Sequence, residues 1–159
     1  MRYSGASCFL CVALLAAMTC VSCSDQGDVV KHIEIGPYII AVPSDAVLEE
    51  GRGIDSYVGK IKGKDLDLTF DYGYYSNSFG RDREDQGVAT YKVDTIQGHY
   101  RRIAIAKNPL EGVTGVYISD LSGFNASMNS SMALSIATSQ LTADEQTEVF
   151  NILSTVRPK

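Results

Sequence analysis

The segment from Asp65 to Tyr72 alternates between polar and apolar residues at every position. The apolar set is Leu66, Leu68, Phe70 and Tyr72, and the polar set is Asp65, Asp67, Thr69 and Asp71. Because successive side chains of a strand point to opposite faces, this period predicts a strand with one buried and one solvated face. Such a strand needs further strands or a helix to cover its apolar side.

Turn signals join this strand to others. Lys62-Gly63-Lys64 and Gln97-Gly98 have the composition of hairpin turns, and Asn108-Pro109 marks a third turn. Between the turns lie β-prone runs at 54–61, 66–72, 88–96, 99–107, 113–121 and 132–137. Residues 32–42 predict an earlier strand, bent at Gly36-Pro37. Residues 44–53 predict a weakly helical or irregular stretch. Short connections between successive strands favour an antiparallel meander.

A helix is predicted near the C-terminal end. Thr142 and Glu145, three residues apart, form the pattern of a capping box. Val149, Phe150, Leu153 and Val156 follow at helical spacing, and Pro158 would end the helix. We therefore predict an α+β fold: an antiparallel meander sheet of about six or seven strands with a C-terminal helix packed on one face.

The N-terminal segment has the pattern of an export signal. Arg2 precedes an apolar run at 8–18, which is too short for the about 20 residues that a membrane-spanning helix needs. All four cysteines lie within the first 23 residues, so the exported chain would hold no disulfide. We predict a signal peptide at 1–22, a lipidated Cys23 with a tether at 23–30, and a single globular α+β domain at 31–159.

Val21-Ser22-Cys23 resembles the lipobox of bacterial lipoproteins, with Cys20 where that family usually has leucine. The resemblance implies acylation of Cys23, palmitate included, and a membrane anchor in the cell envelope. Ser24 follows the cysteine, which in that class favours the outer membrane, facing the periplasm or the exterior. Two alternatives stay open: acylation of Cys20, and an ordinary secretory cut near Ser22 to Ser24.

Charge and residue types bear on which partners are expected. The 14 basic residues, of which Arg2 would leave with the signal, are outnumbered by 19 acidic ones, so we expect no nucleic acid partner. The only histidines are His32 and His99. Carboxylates two apart on a strand are about 6.6 Å apart, which is too far for joint chelation. We expect no metal and no cofactor.

The long irregular stretch at 73–87 carries the candidate binding residues. They are Asp71, Tyr72, Tyr74, Tyr75, Asn77 and Phe79. Flat aromatic rings beside polar groups are typical of surfaces that bind sugars and peptides, so we predict a protein or glycan partner there. The alternative is that these rings pack into the sheet. A second functional hypothesis is a carboxylate-based hydrolase that uses Asp71 with Asp55 or Glu111.

Three segments carry a family resemblance: 54–59, 70–77 and 152–156. Together they look like small lipoproteins of Bacteroidetes-type bacteria, a group to which the resemblance attaches no activity. A strand ending in Val42-Pro43, a meander and a terminal helix also resemble the Mog1/PsbP-like α+β sandwich, a likeness of fold from which no function follows. The sequence thus predicts a non-catalytic, membrane-anchored binding domain of the cell envelope.

Overall fold

The computed structural model describes residues 30–76, 79, 88–120 and 132–159. Within these ranges the chain forms ten strands in two sheets and one α-helix near its C-terminal end. The antiparallel sheet and the C-terminal helix agree with the sequence prediction. The fold is richer in strands than that prediction, because it has a second sheet of three strands.

The large sheet has seven strands. They are β3 (Val47–Glu50), β4 (Ser56–Lys62), β5 (Asp67–Gly73), β6 (Val88–Ile96), β7 (His99–Ala106), β8 (Val113–Asp120) and β9 (Ala133–Ser139). The small sheet contains β1 (Val30–Ile35), β2 (Tyr38–Pro43) and β10 (Arg157–Pro158), and helix α1 is Ala143–Ser154.

The strand order of the large sheet is β3-β4-β5-β9-β8-β7-β6. It therefore consists of two antiparallel meanders that meet where β5 pairs with β9, and not of the one continuous meander that was predicted. The connection from β5 to β6 must cross four interstrand spacings, about 19 Å, and must also run back along the sheet, because β6 begins beside Ala106 at the opposite end from Gly73. This span explains why the connecting stretch is long.

Two local predictions were wrong. Residues 32–42 form a hairpin and not one bent strand, because Gly36 adopts a positive φ of 56° and lets β2 fold back on β1. Residues 44–53 were predicted to be weakly helical or irregular, but Val47–Glu50 form strand β3, because Val47 pairs with Lys62 at the end of β4 and Glu50 with Gly59. Strands β2 and β3 depend on pairing partners that the local sequence pattern does not identify.

The hydrophobic core lies between one face of the large sheet and a layer formed by α1 and the small sheet. The large sheet contributes Ile61, Leu68, Phe70, Ile103, Val116, Ile118, Leu134 and Ile136; the other layer contributes Ile33, Ile35, Tyr38, Ile40, Val42, Val149, Ile152 and Leu153. As predicted, Leu68 and Phe70 of β5 are buried while Asp67 and Thr69 are exposed. The alternation of β5 thus sets which face of the sheet is covered.

Helix α1 begins with the predicted capping box. The Thr142 hydroxyl accepts a hydrogen bond from the Glu145 backbone N–H (3.3 Å), and the Thr142 N–H donates to the Glu145 carboxylate (2.6 Å). The bonds that the Thr142 N–H and hydroxyl donate to the Glu145 carboxylate lower the pKa of Glu145. The helix ends at Ser154, before the predicted stop at Pro158, which lies in strand β10. The chain turns there because the residues after the helix pair with β2.

A buried arginine joins the helix to the sheet. Arg101 of β7 is 6% exposed and donates two hydrogen bonds to the Asp94 carboxylate, at 2.8 and 2.6 Å. It also donates to the backbone carbonyls of Ser154 (2.7 Å), the last residue of α1, and of Val156 (3.0 Å), just beyond the helix. The bonds from Arg101 lower the pKa of Asp94. The arginine therefore holds the C-terminal end of the helix against the sheet.

The face of the large sheet opposite the helix is also partly covered. Small side chains are buried on it, namely Ala104, Ala106, Ala133 and Ser135. Phe79, from the connection between β5 and β6, is 5% exposed and packs over Gly115 of β8. A Cβ atom on Gly115 would lie 2.6 Å from the Phe79 ring, so the ring can sit there because this position has no side chain.

Candidate functional site

Two turns bring three large apolar side chains to the surface at one end of the large sheet. Ser56, the first residue of β4, pairs with Gly73, the last residue of β5. Residues just before Ser56 and just after Gly73 therefore leave the sheet side by side. The side chains at this place are those of Ile54, Tyr74 and Tyr75, which are 106%, 55% and 86% exposed. We call these three residues the apolar tip.

Backbone hydrogen bonds hold the first turn of the tip. The Gly51 N–H donates to the Val58 carbonyl (2.7 Å) and the Gly53 N–H to the Ser56 carbonyl (3.2 Å), which continues the pairing of β3 and β4 into the turn. Ile54 lies at the top of this closed turn. Its full exposure is thus a property of an ordered hairpin.

Ser76 fixes the second turn. Its hydroxyl oxygen accepts a hydrogen bond from the Gly73 N–H at 3.0 Å. As a donor, the hydroxyl contacts three backbone carbonyls. The shortest of these contacts, at 2.8 Å, is with the Ala133 carbonyl of β9. Tyr74 and Tyr75 lie between Gly73 and Ser76. Both rings are thus carried on a turn that is bonded to the neighbouring strand.

Asp71 and Tyr72 lie on opposite faces of β5. Tyr72 lies on the face covered by the small sheet, where its ring packs edge-on against Tyr38 with 6.0 Å between centroids. Burial is the main cause that raises the pKa of Tyr72, and Tyr74 and Asp120 raise it further. Burial also raises the pKa of Tyr38, whose ring stands 5.7 Å from the His99 ring. These rings pack together beneath the tip.

Asp71 begins a polar row on the face of the large sheet opposite the helix. It pairs with Ser135 of β9, which pairs with Tyr117 of β8, and Tyr117 pairs with Arg102 of β7. The Asp71 Oδ1 atom is buried and has no hydrogen-bond partner among the residues that the structure describes. Arg102 donates to the Tyr100 hydroxyl (2.9 Å) and to the Phe79 carbonyl (3.2 Å). The row thus continues beneath the segment that carries Phe79.

The six predicted binding residues are therefore distributed over different places. Tyr74 and Tyr75 are exposed at the tip, while Tyr72 and Phe79 pack on opposite faces of the sheet. Asp71 belongs to the polar row. Asn77 lies outside the described residues. Sequence reasoning missed Ile54, which it assigned to a strand; Gly51 and Gly53 before it were the available signal for a turn.

The carboxylates of the second hypothesis lie apart. Asp55 is exposed in the turn of the apolar tip. Glu111 is exposed in the turn between β7 and β8, which lies at the other end of the sheet because β7 runs away from the tip. Asp71 lies within β5 on the face opposite the helix. Of the two suggested partners, Asp55 is the one at the same end of the sheet as Asp71.

Two clefts lie at the end of the sheet opposite the tip. The smaller has a volume of about 230 Å³ and is lined by Pro43, Asp45, Gly63, Lys64, Asp65, Leu66 and Glu148. A wider cleft of about 450 Å³ adjoins it and is lined by residues 62–67, 138–141 and Glu145. The Asp45 carboxylate accepts a hydrogen bond from the Lys64 N–H at 2.8 Å. Charged side chains thus line both clefts, while exposed apolar side chains, among them Val47 and Leu110, lie at the same end of the sheet.

In the described ranges no group of three or more histidine, cysteine, aspartate or glutamate side chains could hold a metal ion. No described helix has the length and apolar character to cross a membrane. Residues 1–22, Cys23 and the tether up to Val29 lie outside the described residues. Comparison of the chain with protein-family models, with curated proteins and with solved structures found no match.

Proposed function

We propose that this protein is a non-catalytic binding domain, anchored to a membrane of the bacterial cell envelope through lipid on Cys23, and that the apolar tip binds a protein partner. The observation that carries the proposal is the exposure of Ile54, Tyr74 and Tyr75 on two adjoining turns. Adjoining exposed apolar side chains on a folded domain mark an interaction site more often than scattered single ones do.

The chemistry of the tip favours a protein over a glycan. Tyrosine is enriched at the energetic centres of protein interfaces, and binding loops combine tyrosine with glycine and serine. The tip has this composition, with Gly51 and Gly53 in one turn and Ser76 in the other. A sugar ring stacks on an aromatic face and gains little from Ile54. An aliphatic side chain suits an apolar pocket on a protein.

Order at the tip also favours binding. Binding loses free energy when mobile loops must become ordered, so turns that are already hydrogen-bonded reduce this cost. Gly53 and Ser76 bond the two turns to Ser56 and to β9 respectively. The tip can therefore meet a partner without folding first.

The decisive experiment replaces both exposed tyrosines. We expect Tyr74→Ala with Tyr75→Ala to abolish cross-linking of the partner in intact cells, with a photoreactive residue placed at Asp55. The free energy of unfolding should change by less than about 0.5 kcal/mol, as is usual for surface positions. Leu110→Ala is the matched control, because Leu110 is 61% exposed in a turn at the other end of the sheet.

Loss of folding in the tyrosine variant would show that the rings are part of the core and would contradict the proposal. Equal cross-linking in wild type and variant would also contradict it. The anchor has its own test: Cys23→Ser should abolish incorporation of radioactive palmitate. Label retained by that variant would place the lipid on another residue, with Cys20 the first alternative.

A carboxylate-based hydrolase remains the second candidate. The observation that favours it is the buried Asp71 Oδ1 atom, which has no hydrogen-bond partner within the described ranges. Such an enzyme uses a second carboxyl group within about 10 Å of the first. If Asp71 has only a structural role, Asp71→Asn should leave cross-linking at the tip unchanged.

A further inference from the structure

Strand β6 forms one edge of the large sheet. It pairs with β7 on one side, and no strand of the described ranges lies on its other side. The register shifts between Val88 and Thr90, so the regular part of the strand runs from Thr90 to Ile96. The opposite edge strand, β3, has only four residues and ends in Glu49 and Glu50. A long edge strand is a ready template for pairing with another strand, whereas a short and charged one resists it.

The turn at Gln97-Gly98 determines which backbone groups of β6 point outward. Both turn residues have positive φ (50° and 79°), as in a type I′ hairpin turn, so Ile96 and His99 form the hydrogen-bonded pair next to it. Such pairs alternate along an antiparallel ladder, so every second residue of β6 directs its N–H and C=O groups away from β7. The residues with outward backbone groups are Tyr91, Val93 and Thr95.

The charges of β6 are complementary to those of a second copy of the same strand. Lys92 and Asp94 flank Val93, and Val93 is the middle residue of the regular stretch from Thr90 to Ile96. An antiparallel copy related by a two-fold axis at Val93 would place each Lys92 opposite the Asp94 of the other copy. The outward N–H and C=O groups of each strand would then find partners in the other. The edge is thus complementary to itself in both charge and hydrogen bonding.

Other positions of the axis are less favourable. The axis must pass through a residue, because side chains that face each other across a sheet lie on the same face. An axis at Lys92 would oppose two ammonium groups, and an axis at Asp94 would oppose two carboxylates. Like charges directly opposite each other destabilise a strand pair, whereas opposite charges stabilise it. An axis at Tyr91 or Thr95 would leave both charges without a charged partner. The charges therefore select the axis at Val93.

Pairing at this edge would leave the contacts within each copy in place. Besides the hydrogen bonds from Arg101, the charge of Lys92 lowers the pKa of Asp94. The Asp94 side chain is 31% exposed, so its carboxylate remains open to a further cation. Helix α1 packs mainly against β7 and β8, and the edge strand lies beyond it. A second sheet can therefore join at β6 without displacing the helix.

We propose that two copies of this protein associate through β6, about a two-fold axis at Val93, into a dimer in which the two large sheets become one. Val93, which is exposed in the single chain, then packs against its symmetry mate. Because the axis is perpendicular to the sheet, the two apolar tips lie at opposite ends of the dimer. The dimer depends neither on the tip nor on the lipid anchor of the proposed function.

Disulfide cross-linking of the full-length protein in intact cells tests the register. The two Val93 Cα atoms would lie about 5.5 Å apart, which is within disulfide range. Thr95 is exposed on the same edge, but its symmetry mate would lie four residue steps away, about 13 Å along the strand. We expect mild oxidation to link Val93→Cys into a dimer and to leave Thr95→Cys at the wild-type background. Equal linking of the two variants, or none in either, would overturn the proposal.

A charge reversal tests the pairing of Lys92 with Asp94. Lys92→Glu replaces attraction across the axis by repulsion, so we expect the dissociation constant of the dimer to rise at least about tenfold. Sedimentation velocity of the full-length protein in detergent measures it. Lys107→Glu is the matched control: it makes the same charge change at an exposed residue just after β7 and should alter the constant by less than about twofold. A wild-type protein that sediments only as a monomer, or equal weakening by both variants, would contradict the dimer.

Discussion

Replacement of Arg101 by methionine tests how the helix is held on the sheet. The guanidinium makes four hydrogen bonds, two to the Asp94 carboxylate and two to the carbonyls of Ser154 and Val156. Methionine keeps most of the apolar stem and removes all four bonds. The side chain of Asp94 is 31% exposed and can be rehydrated, whereas Val156 is fully buried.

The expected loss follows from the groups left without partners. An orphaned buried carbonyl costs about 1 to 2 kcal/mol, so the buried carbonyl of Val156, the half-buried carbonyl of Ser154 and a partly rehydrated carboxylate cost about 3 kcal/mol in all. For a chain of this length the corresponding fall in Tm is about 10 °C. Arg157→Met is the matched control, because Arg157 is exposed in β10 and should change the stability by less than about 0.5 kcal/mol.

The same pair predicts a pH dependence. Hydrogen bonding to Arg101 lowers the pKa of Asp94 below its ordinary value of 3.8. A carboxyl group whose pKa is lower in the folded state adds stability that is fully present above the unfolded pKa and is lost as the pH falls through the folded value. The stability difference between wild type and Arg101→Met should therefore stay constant from pH 7 to about pH 5 and shrink below about pH 4.

Urea unfolding of both proteins between pH 3 and pH 7 measures this difference directly. A difference under about 1 kcal/mol at pH 7 would refute the reasoning, because it would mean that water replaces Arg101 at the helix end at little cost. A difference that grows as the pH falls would refute the assignment of Asp94. Either result would mean that apolar contacts alone hold α1 against the sheet.

Two further substitutions test the ends of the described elements. Thr142→Ala removes the capping box with Glu145 and should lower the free energy of unfolding by about 1 kcal/mol, whereas Thr147→Ala in the same helix should change it little; chemical denaturation compares the two. Phe79→Ala should cost about 3 kcal/mol if the ring packs over Gly115, and an unchanged Tm would show that the ring contributes no packing.

The sequence predicted those elements whose signals are local. The alternation from Leu66 to Tyr72, the turn at Gln97-Gly98 and the capping box at Thr142 each occupy a few neighbouring residues. All three agree with the structure: the strand is β5, both turn residues have positive φ, and the helix begins after Thr142. A tight hairpin turn with two positive φ angles favours this kind of residue pair.

Elements that depend on distant partners could not be predicted in the same way. Strand β3 is a strand because it pairs with β4, and the short β10 because it pairs with β2. Neither has an alternating pattern long enough to identify it. Likewise the local pattern of β5 does not indicate that its second neighbour in the sheet is β9, whose paired residues lie 60 or more positions later in the chain. These pairings follow from how the whole chain buries its apolar faces.

Part of the prediction of the site could have been made more precise from the sequence alone. The alternation that defines β5 already places Asp71 and Tyr72 on opposite faces, so one ligand could contact both only around the end of the strand. Tyr74 and Tyr75 follow the strand and escape this constraint. Phe79 could not be placed, because its position over Gly115 depends on where the connection crosses the sheet.

The apolar tip itself depends on register. Ile54 and Tyr75 are about twenty residues apart in the chain, and the pairing of Ser56 with Gly73 brings them together. That register is set by Leu68 and Phe70, which must face the core with Ile61 and Gly59 opposite them. A slip of one residue would expose these apolar side chains and separate the two turns. The binding surface is thus specified by the same residues that build the core, although none of them lies in it.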